Sequence, residues 1–463
     1  MRTKNNVLKA FRLFLIWYAI AIIIVALLIL IIVLINEFGN DSKVSVWLEI
    51  MQSLFKNSPT YFILCIPYIL FIIARSIIRD YRKHKSLGLL KGLGLKIILP
   101  VLLLWGSLQA LNLYRQGESF DYEWDYSVEN KTDTIRNLYT ADKKQRGIHF
   151  FGNSKDTLSY ETLKTHNIEW ITIVPFLSQE NHDKPSFRTR SRQNDSTPKY
   201  QRWRNLKQFS DTYGFKIMLK PHIWLSNTTN GVWRSNIKMS TQAEWDDWFT
   251  DYSAYILDYA ALAEELNIEL FCIGTELHTP AIEQPEQWRT LIKQVRNIYS
   301  GKLTYGANWD KEIIDIPFWE DLDFIGVQAY FPIAEHNNPD LEELEQGWKK
   351  HFKLLESLHQ KYNKPILFTE LGYKSTSDAG IKPWEWDTLG NRFYKKISKR
   401  TQALCYQAFF NTVWQQSWFE GVHLWEWQSR SRSNGNNNAF TIQNKPALNV
   451  VAKGFGKRVE YND

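Results

Sequence analysis

The stretch Ile268–His278, IELFCIGTELH, restricts the fold more than any other part of the chain. An apolar run is cut off by Gly274, Thr275 and Glu276. Such a run fits a strand buried on both faces, as in a parallel sheet covered by helices. Glu276 then stands just past the strand end. Pro365–Gly372, PILFTELG, repeats the design and places Glu370 at its own strand end. Packing alone does not account for two Thr-Glu pairs that each close a buried strand. In a (β/α)8 barrel the C-terminal strand ends carry the chemistry.

The rest of the chain supports that architecture. Candidate strands fall at 147–151, 168–176, 215–223, 268–275, 303–309, 324–330, 366–372 and 421–427. Helical patterns separate most of them, including one from Thr241 to about Leu266 that opens with a Thr241/Glu244 capping box. Polar stretches at 177–200, 224–240 and 430–438 read as loops, the first two on the active-site side. An open doubly wound sheet is the rival fold. It lacks a Gly-rich phosphate turn, because Gly147 and Gly152 do not form G-x-G-x-x-G.

The first quarter has a different character. Phe11–Ile35 is nearly unbroken apolar sequence, long enough to span a bilayer and too long for a cleaved signal peptide. Apolar runs at 61–78, containing Pro67, and at 93–113, containing Lys96 and Pro100, give two further spans. Residues 1–113 therefore read as a helical transmembrane region, 114–145 as a polar linker and 146–463 as the barrel domain. The net charge of +7 belongs to the anchor: residues 1–113 hold 13 Lys or Arg and 4 Asp or Glu. Arg79, Arg82, Lys83, Lys85 and Lys91 lie between the second and third spans, and Arg2, Lys4, Lys9 and Arg12 precede or open the first. The positive-inside rule puts both groups in the cytoplasm and the barrel outside it. Basic residues so placed face anionic lipid, and nucleic-acid binding has no support.

The three cysteines, Cys65, Cys272 and Cys405, have neither metal nor redox spacing, and no cofactor is expected. A metallohydrolase using His222, His278 and the glutamates is an alternative without a recognisable ligand motif.

Around the two glutamates the strand ends deliver His222, Trp309, Tyr330 and Trp425. A carboxyl pair among such residues suits glycosidic bond cleavage. One carboxyl protonates the leaving oxygen, and the other attacks the anomeric carbon or activates water. Aromatic faces lie against sugar C–H faces, and the chain has 20 Trp and 22 Tyr. His222 is a substrate contact or a hydrogen-bonded structural histidine. Tyr330 is an orienting donor or a core residue, and Trp425 and Trp309 are sugar platforms or packing residues. Trp224, Trp233, Trp384 and Trp386 divide between subsites and loop cores.

Residues 146–457 resemble glycoside hydrolase family 113, through IGTEL at 273–277, FTELGY at 368–373, KPHIW at 220–224 and WEW at 425–427. That family consists of retaining β-mannanases in a clan with its acid and nucleophile on barrel strands four and seven. The resemblance implies Glu276 as acid/base, Glu370 as nucleophile, Tyr330 as support for the nucleophile and Trp425 as floor of the central subsite. It also implies endo-hydrolysis of β-1,4-mannan or glucomannan by double displacement. Many clan relatives have Asn just before the acid; this chain has Thr275. The alternatives are a β-glycosidase acting on another envelope or extracellular polysaccharide, and a non-catalytic membrane-tethered carbohydrate-binding protein.

Overall fold

The computed structural model describes residues 2–35, 58–116, 120–152, 155–188, 200–228, 231–386, 395–429 and 437–460. The expected loop at 430–438, the expected 177–200 loop beyond Arg188 and the 36–57 connection fall largely or wholly outside them. The chain forms two compact units, Met1–Asn112 and Leu113–Asp463.

The first unit is helical. Helices cover Arg2–Ile35 and Ser58–Leu93, and a π-helical turn at Gly94–Ile98 leads into Leu99–Gln116. Lys85 is non-helical, with φ of 51°. The chain folds back there: Lys96 Nζ reaches Ser76 Oγ at 2.7 Å and pairs with Asp80. Gly88 permits the close approach, since a Cβ there would lie 2.1 Å from the Asp80 carbonyl oxygen. The expected spans at 61–78 and 93–113 thus lie on either side of a turn within the basic segment. Among the described residues one helical stretch, Cys65–Gln116, is long and apolar enough to cross a membrane, and Arg12–Leu27 is apolar but shorter. Ile16, Ile23, Leu70, Leu103 and Leu104 all point outward on these helices.

The second unit is a closed barrel of eight parallel strands. We number them β1 Gln145–Phe151, β2 Trp170–Ile173, β3 Lys216–Leu219, β4 Leu270–Thr275, β5 Lys302–Asn308, β6 Phe324–Gln328, β7 Ile366–Leu371 and β8 Phe419–Gln428. Each pairs with its neighbours in sequence, and β1 closes on β8 through Gln145↔Gly421 to Phe151↔Gln428. Helices follow the strands, from α1 Thr157–Thr165 through α2 Gln201–Tyr213, α3 Gln242–Glu265, α4 Pro285–Ile298, α5 Lys311–Asp315, α6 Leu341–Tyr362 and α7 Lys399–Asn411 to α8 Pro446–Phe455. The Thr241/Glu244 capping box starts α3 as expected. Trp170, Met218, Leu270, Phe324 and Leu367 form one apolar cluster, at or near the strand starts. Further along the strands Thr172, Thr304, Gln328, Thr369 and His423 are buried and polar, and Thr172 Oγ1 lies 2.6 Å from His423 Nδ1. The barrel thus becomes polar toward the C-terminal ends of its strands.

Two strand expectations need correction. The runs 168–176 and 215–223 are each broken by a proline, Pro175 and Pro221. Proline has no N–H for the ladder. The barrel strands stop at Ile173 and Leu219, and the chain re-pairs outside the barrel. Phe176–Gln179 joins His222–Leu225 in parallel and Phe187–Arg188 antiparallel, forming a small second sheet. His222 therefore opens an accessory strand instead of closing β3. The expected linker also differs: its described part after Phe120 is packed on the barrel wall, with short helices at Tyr126–Val128 and Tyr139–Asp142.

Candidate active site

Glu370 is the second-last residue of β7 and 4 % exposed. Lys220, which follows β3, is wholly buried and donates to Glu370 Oε1 at 2.5 Å. It also donates to Gln328 Oε1 at 2.9 Å and to the Thr369 carbonyl at 3.3 Å. Tyr330, two residues past β6, donates its hydroxyl to Glu370 Oε2 at 2.8 Å. Both oxygens of Glu370 are thus fixed, one by a cation and one by a phenol. Burial, with the Glu370 charge adding to it, pushes the Tyr330 hydroxyl far above the ordinary tyrosine range.

Two histidines complete this side. His149 on β1 sets Nδ1 3.2 Å from the Leu424 carbonyl and Nε2 3.8 Å from Glu370 Oε1. His222 Nδ1 takes a hydrogen bond from Arg234 at 2.9 Å, which leaves the ring proton on Nε2. That nitrogen lies 3.8 Å from Glu370 Oε1 and is buried without a hydrogen-bond partner among the described residues. Burial drives both imidazoles well below their usual range and the Lys220 charge adds to it, so both are neutral.

Glu276 follows β4 in the left-handed backbone region, with φ of 54°. A non-glycine residue pays for that conformation unless its surroundings hold it. Here its N–H donates to the Gly306 carbonyl at 2.9 Å, and the next N–H, of Leu277, donates to the Tyr305 hydroxyl at 2.7 Å. Tyr305 in turn donates to buried Glu312 Oε1 at 2.6 Å, and the backbone and side chain of Asn308 donate to Glu312 Oε2. Burial pushes the Glu312 carboxyl up to about 8. At the carboxyl end, Trp233 Nε1 donates to Glu276 Oε2 at 2.8 Å. Arg234, stacked on Trp233, lies 3.6 Å from the same oxygen. Arg234 and His222 therefore connect the surroundings of the two glutamates. Thr275 does not substitute for an asparagine amide: it is buried, with Oγ1 3.7 Å from Cys272 Sγ.

Aromatic rings surround the carboxyls. Tyr330, Trp425 and Phe440 cluster, with Phe151 and Trp309 packed against them. Trp425 lies 5.0 Å from the His149 ring and 5.1 Å from Phe151, and its Nε1 has no hydrogen-bond partner among the described residues. Trp309 packs on Trp384 at 5.1 Å, and Trp386 meets Phe440 at 5.4 Å. Trp224, Trp384 and Trp386 are exposed. A cavity of about 610 Å³, lined in part by Asp183, Asn236 and Lys238, flanks the loop that carries Trp233; neither glutamate lines it.

The six residues singled out from sequence thus fall into two neighbouring groups: Glu370 with Tyr330, His222, Trp425 and Trp309, and Glu276 across Arg234. Sequence reasoning missed Lys220, His149, Arg234, Gln328 and the Tyr305–Glu312 pair. It also missed Glu426, whose half-buried carboxyl is pushed up by burial and by the Glu370 charge. Lys220 alone left a signal, as a charge at the end of a buried strand.

Among the described residues no cluster of His, Cys, Asp and Glu is arranged to hold a metal ion. The arrangement of two carboxyls, neutral histidines and aromatic walls is that of a glycosidase. No curated protein matches the chain. Solved structures do match: a β-1,4-mannanase of family 113 is 26 % identical over 67 % of this chain and 98 % of its own, with a TM-score of 0.57. The family 113 β-mannanase AaManA of Alicyclobacillus acidocaldarius, in complex with ManMIm, is 25 % identical over 67 % of this chain and 97 % of its own, also at 0.57. The model of Glycoside Hydrolase Family 113 matches residues 143–445, and the chain belongs to that family of glycoside hydrolases.

Proposed function

We propose that this chain is a retaining, endo-acting β-1,4-mannanase held on the outer face of a membrane. The observation that carries the catalytic reading is the grip of Lys220 and Tyr330 on Glu370, with Glu276 at the end of β4. Glu370, an anion with fixed oxygens, attacks the anomeric carbon. Glu276 gives its proton to the glycosidic oxygen as the C–O bond breaks, and the leaving chain departs as an alcohol. The sugar is then an ester of Glu370. Glu276, now a carboxylate, takes a proton from water while that water attacks the anomeric carbon and Glu370 leaves. Two inversions return a β product. His222 Nε2 and Trp425 Nε1 suit sugar hydroxyls, and the Trp425 face suits the sugar ring. The similarity to family 113 β-mannanases supports mannan as the substrate.

The tests address each level. Glu370→Ala should be rescued by azide and yield an α-glycosyl azide from a β-linked activated substrate. A first product of α configuration, read by NMR before mutarotation, would recast Glu370 as the base of an inverting enzyme. Product sizes from mannan, glucomannan, xylan and cellulose decide the substrate. Monosaccharide alone would reject endo action, and inertness on both mannans would reject the substrate.

The membrane part rests on helices whose apolar side chains face outward, which water disfavours and lipid does not. Three spans at about 11–35, 61–78 and 93–113, with basic segments inside, put the barrel outside the cytoplasm. A reporter enzyme active only outside the cytoplasm, fused after residue 120, should be active; a silent one beside an active cytoplasmic reporter would refute the topology.

A further inference from the structure

The small second sheet exists because Pro175 and Pro221 take the chain out of the barrel ladder at matching places after β2 and β3. Side chains alternate between the two faces of a strand. In Phe176–Gln179 and His222–Leu225 the inner set is Leu177, Gln179, Ile223 and Leu225, all buried. Gln179 fastens that side to α3. Its Oε1 takes the Trp248 indole N–H at 3.1 Å, and its Nε2 donates to the Asn181 and Lys184 carbonyls at 2.9 and 3.0 Å. The outer set is Phe176, Ser178, His222 and Trp224, with Ser226 next in line. The outer face therefore stands on a fixed base.

That face starts at the active centre. His222 Nε2 lies 3.8 Å from Glu370 Oε1. Phe176 is paired with His222 in the register and meets its ring at 5.7 Å; Trp224 meets Phe176 at 6.1 Å, both edge to face. Beyond the two rings, the hydroxyls of Ser178 and Ser226 stand 3.1 Å apart. Exposure rises along the way, from 4 % at His222 to 48 % at Phe176 and 54 % at Trp224. Two large rings held open to water on a rigid sheet forgo the stabilisation of burial. Such neighbouring exposed rings mark a contact surface. Ring faces suit the C–H faces of sugars, and serines suit their hydroxyls. Of the outward residues on these two parallel strands none is charged, His222 being neutral, which suits an uncharged hexose chain.

We infer that the outer face of this sheet is a binding track for the glycone side of the substrate chain, with Phe176 and Trp224 as sugar platforms beyond the residue that Glu370 attacks. This rests on the glycosidase reading above. The side follows from the neighbours. His222 faces the nucleophile directly and reaches Glu276 only through Arg234. Sugars that continue from the nucleophile's side of the cleft belong to the part of the chain that becomes the covalent ester. A chain held along the track is cut away from its non-reducing end, as endo action requires. The fixed base means that little ordering has to accompany binding.

The test uses the full chain in detergent and three substrates with one leaving group: the p-nitrophenyl glycosides of β-mannose, β-1,4-mannobiose and β-1,4-mannotriose. Only the glycone length differs among them, so the demand on the acid is the same. The parent's kcat/KM should rise with length. Trp224→Ala and Phe176→Ala should each lose about three- to tenfold more on the mannotrioside than on the mannoside. Trp224→Phe, which keeps a ring, should recover most of that difference. In the Glu370→Gln background, Trp224→Ala should weaken mannotetraose binding by a similar factor, read by calorimetry. Both rings are exposed, so the variants should fold, and thermal melts check this. The same factor lost at every length, or no loss at all, would overturn this inference and leave the glycosidase reading standing. A folded parent that cleaves none of the three glycosides would overturn the mannanase reading and this inference with it.

Discussion

Lys220→Met tests how Glu370 is held. Methionine fills most of the space of the lysine stem and carries neither charge nor donor. The native Nζ is wholly buried and serves Glu370 Oε1 at 2.5 Å, Gln328 Oε1 at 2.9 Å and the Thr369 carbonyl at 3.3 Å. After substitution the Glu370 carboxylate keeps, among the described residues, only the Tyr330 hydroxyl as a hydrogen-bond donor. Breaking a buried ion pair from one side costs about 3–5 kcal/mol of stability. The carboxylate also loses the donor that fixes Oε1, and kcat/KM should fall by about 10- to 100-fold, the range for one hydrogen bond to a charged group. The assay is kcat/KM on soluble manno-oligosaccharides, beside urea unfolding. Lys220→Met with Glu370→Gln removes the stranded charge too and should unfold at higher urea than Lys220→Met alone. A kcat/KM within about threefold of the parent would refute the reasoning. So would a double variant no more stable than the single one.

Three further changes probe other parts of the site. Tyr330→Phe removes the donor at Glu370 Oε2 and should lower kcat/KM by about 10- to 100-fold, the range for one hydrogen bond to a charged group, with KM little changed; a change confined to KM would contradict it. Trp233→Phe keeps an aromatic ring, a smaller one, but removes the N–H to Glu276 Oε2, and should reduce kcat by about tenfold on unactivated mannan and much less on an aryl mannoside with a good leaving group. Equal losses on both substrates would argue against a role in protonating the leaving oxygen. Glu312 is raised from 4.5 to about 8 by burial, so the folded chain keeps a proton that the unfolded chain loses between those values. Its contribution to stability is present below about 4.5 and disappears as pH rises to about 8, on the order of a few kcal/mol in all. Thermal melts of Glu312→Gln should therefore fall less between pH 5 and 8 than those of the parent; parallel slopes would rule the account out.

The two glutamates were legible because each interrupts an otherwise apolar run at the point where a buried strand must end. The barrel was legible for the same reason: eight short runs alternate with helical periodicity, and a parallel sheet needs such crossovers. The small outer sheet was not read, although Pro175 and Pro221 announced it by removing ladder donors at matching places on β2 and β3. Partners such as Trp233 for Glu276, or Lys220 for Glu370, are 43 and 150 residues apart and leave no periodic trace. Only the general rule that a buried lysine needs an anion pointed toward the second pair.

The unequal settings of the two carboxyls match the unequal roles proposed for them. Glu370 lies within a regular strand and is pinned at both oxygens, by Lys220 and Tyr330. A nucleophile must stay charged and aligned with one carbon, and a cation plus a rigid phenol provide both. Glu276 stands past its strand, on a left-handed residue held from behind by Tyr305, and among the described residues only Oε2 is engaged, by the Trp233 indole and nearby Arg234. Its side chain is 12 % exposed against 6 % for Glu370. A proton donor that later becomes a base must meet first a leaving sugar and then a water, so one oxygen has to face the open side. The buried, doubly held carboxyl is suited to attack, and the freer one to passing a proton back and forth.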